Sequence, residues 1–392
     1  MIAGILFGFV PLAVWLYLLL FRGGFWLLRE RDTAPVDQPA SWPSVVAVVP
    51  ARNEADVIGR SIGSLLAQDY PGPLHIVLVD DQSDDGTGPL ARRLNPDRLT
   101  VLTGGPSPQG WTGKLWAMKQ GSDYAAVFGS EFLWFTDADI AHAPDNLRHL
   151  VGRAQAGNNV LVSLMARLSC KNLAEHFLIP AFVFFFDMLF PFAAVNNPAS
   201  KVAAAAGGCM LVRRQALEKA GGLAAIGHNI IDDCALGRAM KAQGPIWLGL
   251  TDRAVSLRPY EHLSDIRHMV TRTAYAQLGY SPLVLAATLF GLAMVYLAPV
   301  MTALFAWGIS QMAGWLAWII MAVMYQPILR FYRLSPLWGL ALPLIGLFYA
   351  GFTCQSAILY WSGKGGMWKG RAQANAQEAD AQASTKSARN QA

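Results

Sequence analysis

Charge is scarce in this sequence. Only 15% of its 392 residues are Asp, Glu, Lys or Arg, against roughly a quarter in ordinary soluble domains. Hydrophobic residues make up 54%, and the two figures together point to a membrane protein. Cysteine is also rare, and Cys170, Cys209, Cys234 and Cys354 are widely scattered. Their spacing excludes a framework of disulfides and a cysteine metal site, leaving reduced thiols in a cytosolic domain. The net charge of +5 is small, and its basic residues cluster beside apolar stretches. That placement suits anionic lipid headgroups rather than nucleic acid. No internal repeat divides the chain.

What is abundant is apolar and unevenly placed. Residues 1–21, MIAGILFGFVPLAVWLYLLLF, carry no charge and are about long enough to cross a bilayer core. A cleavable signal would need a basic start and a small-residue cleavage site, and neither is visible, so an uncleaved anchor is expected. Arg22, Arg29 and Arg31 follow it and put the next segment in the cytoplasm. Three further stretches near 283–306, 313–329 and 337–361 are each long and apolar enough to span. Arg330 and Arg333 place the loop before the last span inside, which sends Lys364, Lys369 and Arg371 outside, against the positive-inside tendency. A re-entrant segment or a different span count would remove that conflict.

Between these stretches, a Pro-rich linker over 22–43 leads into a pattern of short apolar runs and amphipathic segments over 44–260, the signature of α/β construction. SVVAVVP (44–50), LHIVLVD (74–80), LTVLTG (99–104) and FLWFTDAD (132–139) are expected as buried strands. Ile58, Ile62, Leu65 and Leu66 recur at helical spacing, and Pro144 with Asp145 reads as another helix start. The segment 261–280 is expected as an amphipathic helix on the membrane surface, with Arg267, His268 and Arg272 outward and Ile266, Met269 and Val270 inward. FLIPAFVFFFDMLFPFAAV (177–195) holds two prolines and Asp187, which favours an interfacial or re-entrant segment facing lipid. The spans occupy 281–361, and the Ala- and Gln-rich tail over 362–392 reads as disordered.

Ligands of open α/β sheets bind beyond the carboxyl ends of the strands, and here those ends are acidic. Arg52, Asn53 and Glu54 follow the first strand, Asp80 and Asp81 end the second, and Asp137 and Asp139 end the fourth. On an extended chain i and i+2 share a face, so Asp137 and Asp139 would meet at one point and call for a cation. Mg²⁺ or Mn²⁺ shared with a substrate diphosphate fits; a plain turn fits as well. VDDQSDDGT (79–87) holds more acids than a turn needs, and Asp80 or Asp81 suits the N–H and O–H donors of a base or ribose. Lys114 opens a helix, where phosphate is favoured, although a solvent-facing lysine is the commoner case. Asp232 and Asp233 open another, one suited to N-capping and the other to general-base work. His142 reads as a packing histidine, Cys234 as buried filler, and Trp111, Trp116 and Trp247 as packing residues.

VVPARNEA, VDDQSDDGT, GKLWAM, FTDAD, AGGCMLVRR and IDDCALG, in this order and spacing, resemble the inverting membrane glycosyltransferases of family 2, whose fold is GT-A. The resemblance covers about 45–250. It implies a Rossmann-like mixed sheet with flanking helices, one N-terminal and about three C-terminal transmembrane helices, in a multi-pass protein of the bacterial inner membrane with a cytoplasmic catalytic domain. GWTGKLWAM, TDADIAHAPDNL, IPAFVFFF and GPIWLGLTDR resemble the hopene-associated branch in particular. By resemblance, Asp233 would be the catalytic base, and Asp137 and Asp139 would hold Mg²⁺ or Mn²⁺. Pro50, Arg52, Asn53, Glu54, Asp80, Asp81, Lys114, Asp137, Asp232 and Arg272 would bind the nucleotide-sugar donor. The implied acceptor is a lipid hydroxyl of a hopanoid. A ceramide-like or polyprenyl phosphate acceptor and a processive polysaccharide synthase are alternatives. The stretch IRHMVTRTAY lacks the tryptophan of the family's QxxRW motif, which opposes processivity. Outside enzymes, a transporter or scaffold with a nucleotide-binding domain is the competitor, opposed by nearly charge-free C-terminal spans.

Overall fold

A computed structural model describes residues 2–37, 39–95, 97–368, 371 and 372. The described residues fold as two compact units: Glu30–Ser169 with Ala194–Pro259 form the body of one, and residues 2–29, Cys170–Ala193 and Tyr260–Gly365 the other. The domain expected over 44–260 is therefore interrupted, because 170–193 belongs to the second unit. Most of the tail over 362–392 lies outside the described residues.

The first unit is built on an eight-stranded mixed sheet. Its strands are β1 (Val45–Ala51), β2 (Leu74–Asp80), β3 (Leu99–Thr103), β4 (Phe132–Phe135), β5 (Ile140–His142), β6 (Leu161–Arg167), β7 (Met210–Arg213) and β8 (Ile246–Ser256), in the order β3-β2-β1-β4-β7-β6-β8-β5. β3, β2, β1 and β4 run parallel, whereas β7 is antiparallel to both β4 and β6. The apolar runs form strands because both faces are covered: all seven residues of β1 are buried. In the helix Ile58–Leu66, Ile58, Ile62 and Leu65 are fully buried against the sheet, each worth about 1.5–3 kcal/mol. Strand order reverses between β1 and β4, and the crevice at such a reversal opens at the strands' carboxyl ends.

Two expectations need correction here. The fourth strand stops at Phe135, not 139, because Thr136 leaves the ladder: its N–H still donates to Val48 O (3.3 Å), while its hydroxyl donates to Gly208 O (2.9 Å). Asp137 and Asp139 therefore share a turn rather than a strand face. Residues 30–32, expected as linker, extend the sheet instead. Leu250 N–H donates to Glu30 O (2.9 Å) and Asp32 N–H to Leu250 O (3.0 Å), and Thr251 Oγ1 donates to the Asp32 carboxylate at 2.6 Å.

The second unit is helical. Pro282–Phe305, Gly308–Phe331 and Pro336–Trp361 are each long and apolar enough to cross a membrane, and the helix Ile2–Phe21 includes a shorter apolar stretch, Phe7–Phe21. Small residues let these helices meet closely: a Cβ on Gly314 would lie 2.4 Å from Thr302 Oγ1, the kind of contact that packs helices without a hydrophobic drive. Trp15, fully buried, donates to Val295 O at 2.8 Å, a carbonyl within the π-helical turn Ala293–Leu297. Phe290, Phe305, Trp307, Met312 and Leu337 are exposed, as lipid-facing residues are. The segment 177–195 lies mostly in the helix Leu173–Leu189, opened by an Asn172–Glu175 capping box. Asp187, in its last turn, accepts from the N–H of Phe192, beyond the helix, at 2.9 Å.

The surface helix expected over 261–280 is in fact two, Leu263–Thr271 and Ala274–Gln277. A hydroxyl from the last span sits at the break: Ser356 Oγ donates to Thr271 O (2.5 Å) and accepts from Tyr275 N–H (3.0 Å). Groups inserted in this way into a helical ladder interrupt it. Ile266 and Val270 are buried, while His268 and Arg272 are exposed.

Candidate functional site

The crevice at the β1/β4 reversal has two halves. The first is a cradle made from the segments after β1 and β2. Pro50, in β1, lies past Val48, the last β1 residue paired with β4, so its missing N–H breaks no bond to that neighbour. Arg52 Nη1 donates to Asp81 O at 2.5 Å and lies 3.8 Å from the fully buried Asp81 carboxylate. Asn53 adopts φ 52°; its N–H donates to Ser83 Oγ (3.0 Å), and its side-chain oxygen accepts from Asp84 N–H (3.1 Å). Glu54 N–H donates to Thr87 Oγ1 at 2.8 Å. Asp80 accepts from Ser83 N–H (3.1 Å), and a Cβ on Gly88 would lie 2.1 Å from its other oxygen, so a side chain there would displace the carboxylate. Asp85 accepts from Ala55 N–H (2.9 Å) and from Thr87 Oγ1 (2.6 Å). Burial acts to raise Asp85, but these hydrogen bonds outweigh it and hold its carboxyl below the usual range.

The second half is a charged centre. Thr112 accepts from Leu115 N–H to cap the helix Gly113–Ala125, which puts Lys114 in its first turn. Lys114 Nζ lies 2.8 Å from Asp137 Oδ1 and 3.0 Å from Asp232 Oδ2. It is therefore not the solvent-facing lysine that its residue type alone suggests. Burial acts to lower its pKa, but Asp137, Asp232 and Asp233 outweigh burial and raise it, so it is a fixed positive charge. Asp232 is the first residue of the helix Asp232–Lys241 and Ile231 its N-cap, so capping is not its role.

Asp233, beside it, accepts from Gly207 N–H (3.1 Å) and Cys234 N–H (2.7 Å). Burial first, then the Asp232 charge, push its carboxyl up to about 6, with Lys114 pulling the other way. Burial likewise raises Asp137, aided by Asp139 and opposed by Lys114. Gly207 brings the backbone in close: its Cβ position is 3.3 Å from Lys114 Nζ and 3.5 Å from Asp233 Oδ2.

Asp139 is held by a residue that the sequence did not single out. Arg258 Nε lies 3.4 Å from Asp139 Oδ2, and Arg258 Nη2 is hydrogen-bonded to Glu54. Arg258 follows the end of β8, so the same strand-end criterion that found the other acids would have reached it. Behind the turn, His142 contacts Thr136 Oγ1 (2.8 Å) and Asn146 (3.0 Å); burial pushes its pKa down to about 3, which makes it a neutral packing group. Cys234 is buried, Trp111 packs edge-on against Trp116, and Arg153 stacks over Trp247. Arg272 is the exposed C-cap of the helix Leu263–Thr271, which belongs to the other unit.

Among the described residues no group of three or more His, Cys, Asp or Glu side chains is arranged to hold a metal, so there is no all-protein cage. Asp137 and Asp139 are close enough for the charge of one to raise the other, and both offer hard oxygen donors. Two carboxylates completed by a diphosphate make a set that Mg²⁺ or Mn²⁺ accepts.

Residues 46–221 match the family model described as Glycosyl transferase family 2. A polyprenol monophosphomannose synthase of Mycolicibacterium smegmatis is 30% identical over 140 residues, covering 34% of this chain and 50% of the relative. A beta-monoglucosyldiacylglycerol synthase of Synechocystis is 34% identical over 132 residues, 32% of this chain and 24% of the relative. This chain thus spans half or less of the length of these two relatives. The solved structure of the mannosyltransferase PcManGT from Pyrobaculum calidifontis, in complex with GDP-Man and Mn²⁺, aligns with a TM-score of 0.53 at 20% identity, covering 91% of this chain and 96% of that one. At that identity the likeness bears on fold alone, and the fold is GT-A.

Proposed function

We propose that this chain is a membrane-bound inverting glycosyltransferase that moves one sugar from a nucleotide sugar to a lipid hydroxyl, with a hopanoid as the acceptor. The observation that carries the reading is the gathering of Asp137 and Asp232 around the Lys114 ammonium, beside an Asp233 carboxyl raised to about 6. A base is most useful when its pKa lies near the working pH. An ordinary aspartate is too weak for that, and Asp233 is shifted toward it.

In the proposed step the Asp233 carboxylate takes the proton from the acceptor hydroxyl. The acceptor oxygen then attacks the anomeric carbon from the face opposite the diphosphate, the bond to the diphosphate breaks, and the configuration inverts. Lys114 supplies positive charge where the leaving group gains negative charge, and fixed charges of this kind cost no reorganisation during reaction. Asp137 and Asp139 would hold a divalent cation that, when bound, neutralises the diphosphate. The cradle from Pro50 to Glu54 with Asp80 and Asp81 receives the nucleoside. Arg272 is left without an assigned contact.

A lipid acceptor is supported by the three long apolar helices and by the lipid substrates that the two relatives are named for. The hopanoid assignment rests on the sequence resemblance, as does the bacterial inner membrane with the catalytic unit on the cytoplasmic side. The test uses the full chain in detergent with Mn²⁺, a panel of UDP- and GDP-sugars, and hopanoid, diacylglycerol and polyprenyl phosphate acceptors. Mass spectrometry should find one sugar added to the hopanoid. A sugar found only on polyprenyl phosphate would reject the acceptor, and no transfer from any donor would reject the activity.

A further inference from the structure

Arg258 is fixed more firmly to the Asp137–Asp139 turn than a single long ion pair suggests. β5 pairs antiparallel with β8 through Ile140 and Ser256, so the chain leaving β8 runs directly past Asp139. There, Leu257 N–H donates to Asp139 O at 2.7 Å. The next residue, Arg258, sends Nε to Asp139 Oδ2 (3.4 Å) and Nη2 to Glu54. Glu54 is itself fixed, because its N–H donates to Thr87 Oγ1 and its carbonyl accepts from Val57 and Ile58 N–H at 3.0 and 2.8 Å. One guanidinium therefore ties the segment after β1 to the turn after β4, across the strand-order reversal. Burial acts to lower the pKa of Arg258, but Glu54, Asp139 and Asp56 outweigh burial, so the tie stays charged.

We propose that Arg258 is a positioning residue for divalent-cation binding: it orients the Asp139 carboxylate, with Glu54 as its anchor, so that the other oxygen of Asp139 is presented beside Asp137. This rests on the proposed function, which supplies the diphosphate and the cation. A fork-shaped guanidinium holds two carboxylates in fixed directions, and a lysine in its place reaches only one. Carboxylates that ligate metals are themselves held by hydrogen bonds, and loss of such a partner typically weakens metal binding tenfold to a hundredfold.

The experiment measures Mn²⁺ binding by the full-length protein in detergent, by electron paramagnetic resonance, with a nucleoside diphosphate present and no sugar donor, so turnover plays no part. Arg258→Gln should weaken Mn²⁺ binding by about tenfold or more, and Arg258→Lys should fall between it and the wild type. Because Arg258→Gln also removes an ion pair from the fold, Arg258→Lys, which keeps the charge, carries the test if the first variant does not fold. Wild-type affinity for Mn²⁺ in folded Arg258→Gln or Arg258→Lys, or tighter binding in either, would overturn the positioning role and leave the transferase reading standing. A wild-type protein that binds no Mn²⁺ with any nucleoside diphosphate would overturn both.

Discussion

Asp80 and Asp85, between Arg52 and Thr87, are held by backbone N–H groups and hydroxyls, whereas Asp137, Asp232 and Asp139 are held by the side-chain cations of Lys114 and Arg258. Asp80 and Asp85 accept from Ser83, Ala55 and Thr87, and these bonds shape the cradle. Asp137, Asp232 and Asp139 instead face ammonium or guanidinium groups. The same residue type serves two ends. In the cradle a carboxylate replaces the backbone acceptor that an irregular loop lacks, and in the centre it meets positive charge that a diphosphate and its cation can share.

If that contrast is right, substitutions in the two halves should fail differently. The largest effect is expected at the centre: Asp233→Asn should lower the transfer rate by about a thousandfold, within the range for a lost general base, with circular dichroism unchanged. Next is Lys114→Met, for which transfer should fall by about a hundredfold, the typical loss for one charge-stabilising donor. Because Lys114 pulls the Asp233 pKa down, its removal should also move the acid limb of the pH–rate profile to higher pH.

In the cradle, Thr87→Val keeps the shape but strands the buried Glu54 N–H. It should cost about 1–3 kcal/mol of stability and raise the donor KM while leaving kcat nearly unchanged, as denaturant titration and steady-state kinetics can check. Smallest is Lys119→Ala, which breaks a pair with Asp123 on an exposed helical face. Charge with no place in either half should matter by less than about 0.5 kcal/mol, and transfer should be unaltered. A large loss of transfer there would erase the distinction between the centre and charge elsewhere on the unit.

Much of the crevice was legible because strand ends in an α/β sheet converge. Arg52, Glu54, Asp80, Asp81 and Asp137 all lie at such ends, and the apolar runs that precede them are unmistakable. Asp137 and Asp139 were found by an argument that does not hold: they share a turn after Phe135, not a strand face, and each has its own cation. Arg258 was missed because the second half of β8, TDRAVS, lies beside a three-residue strand at the sheet edge, with Asp252 exposed. It does not read as an apolar run, so no strand end is legible there. The break near Arg272 was hidden for a different reason: it depends on Ser356, more than eighty residues away in sequence, and no local pattern carries that contact.

The most direct test of the account is the dependence of kcat/KM on pH, since it reports the essential base in the free enzyme. A carboxyl raised in the folded protein is protonated, and useless as a base, at any pH well below its raised value. The proposed role of Asp233 therefore predicts that kcat/KM rises with pH through about 6 and that this limb is absent from the residual activity of Asp233→Asn. A profile flat from pH 5 to 7, or the same limb in the variant, would contradict it.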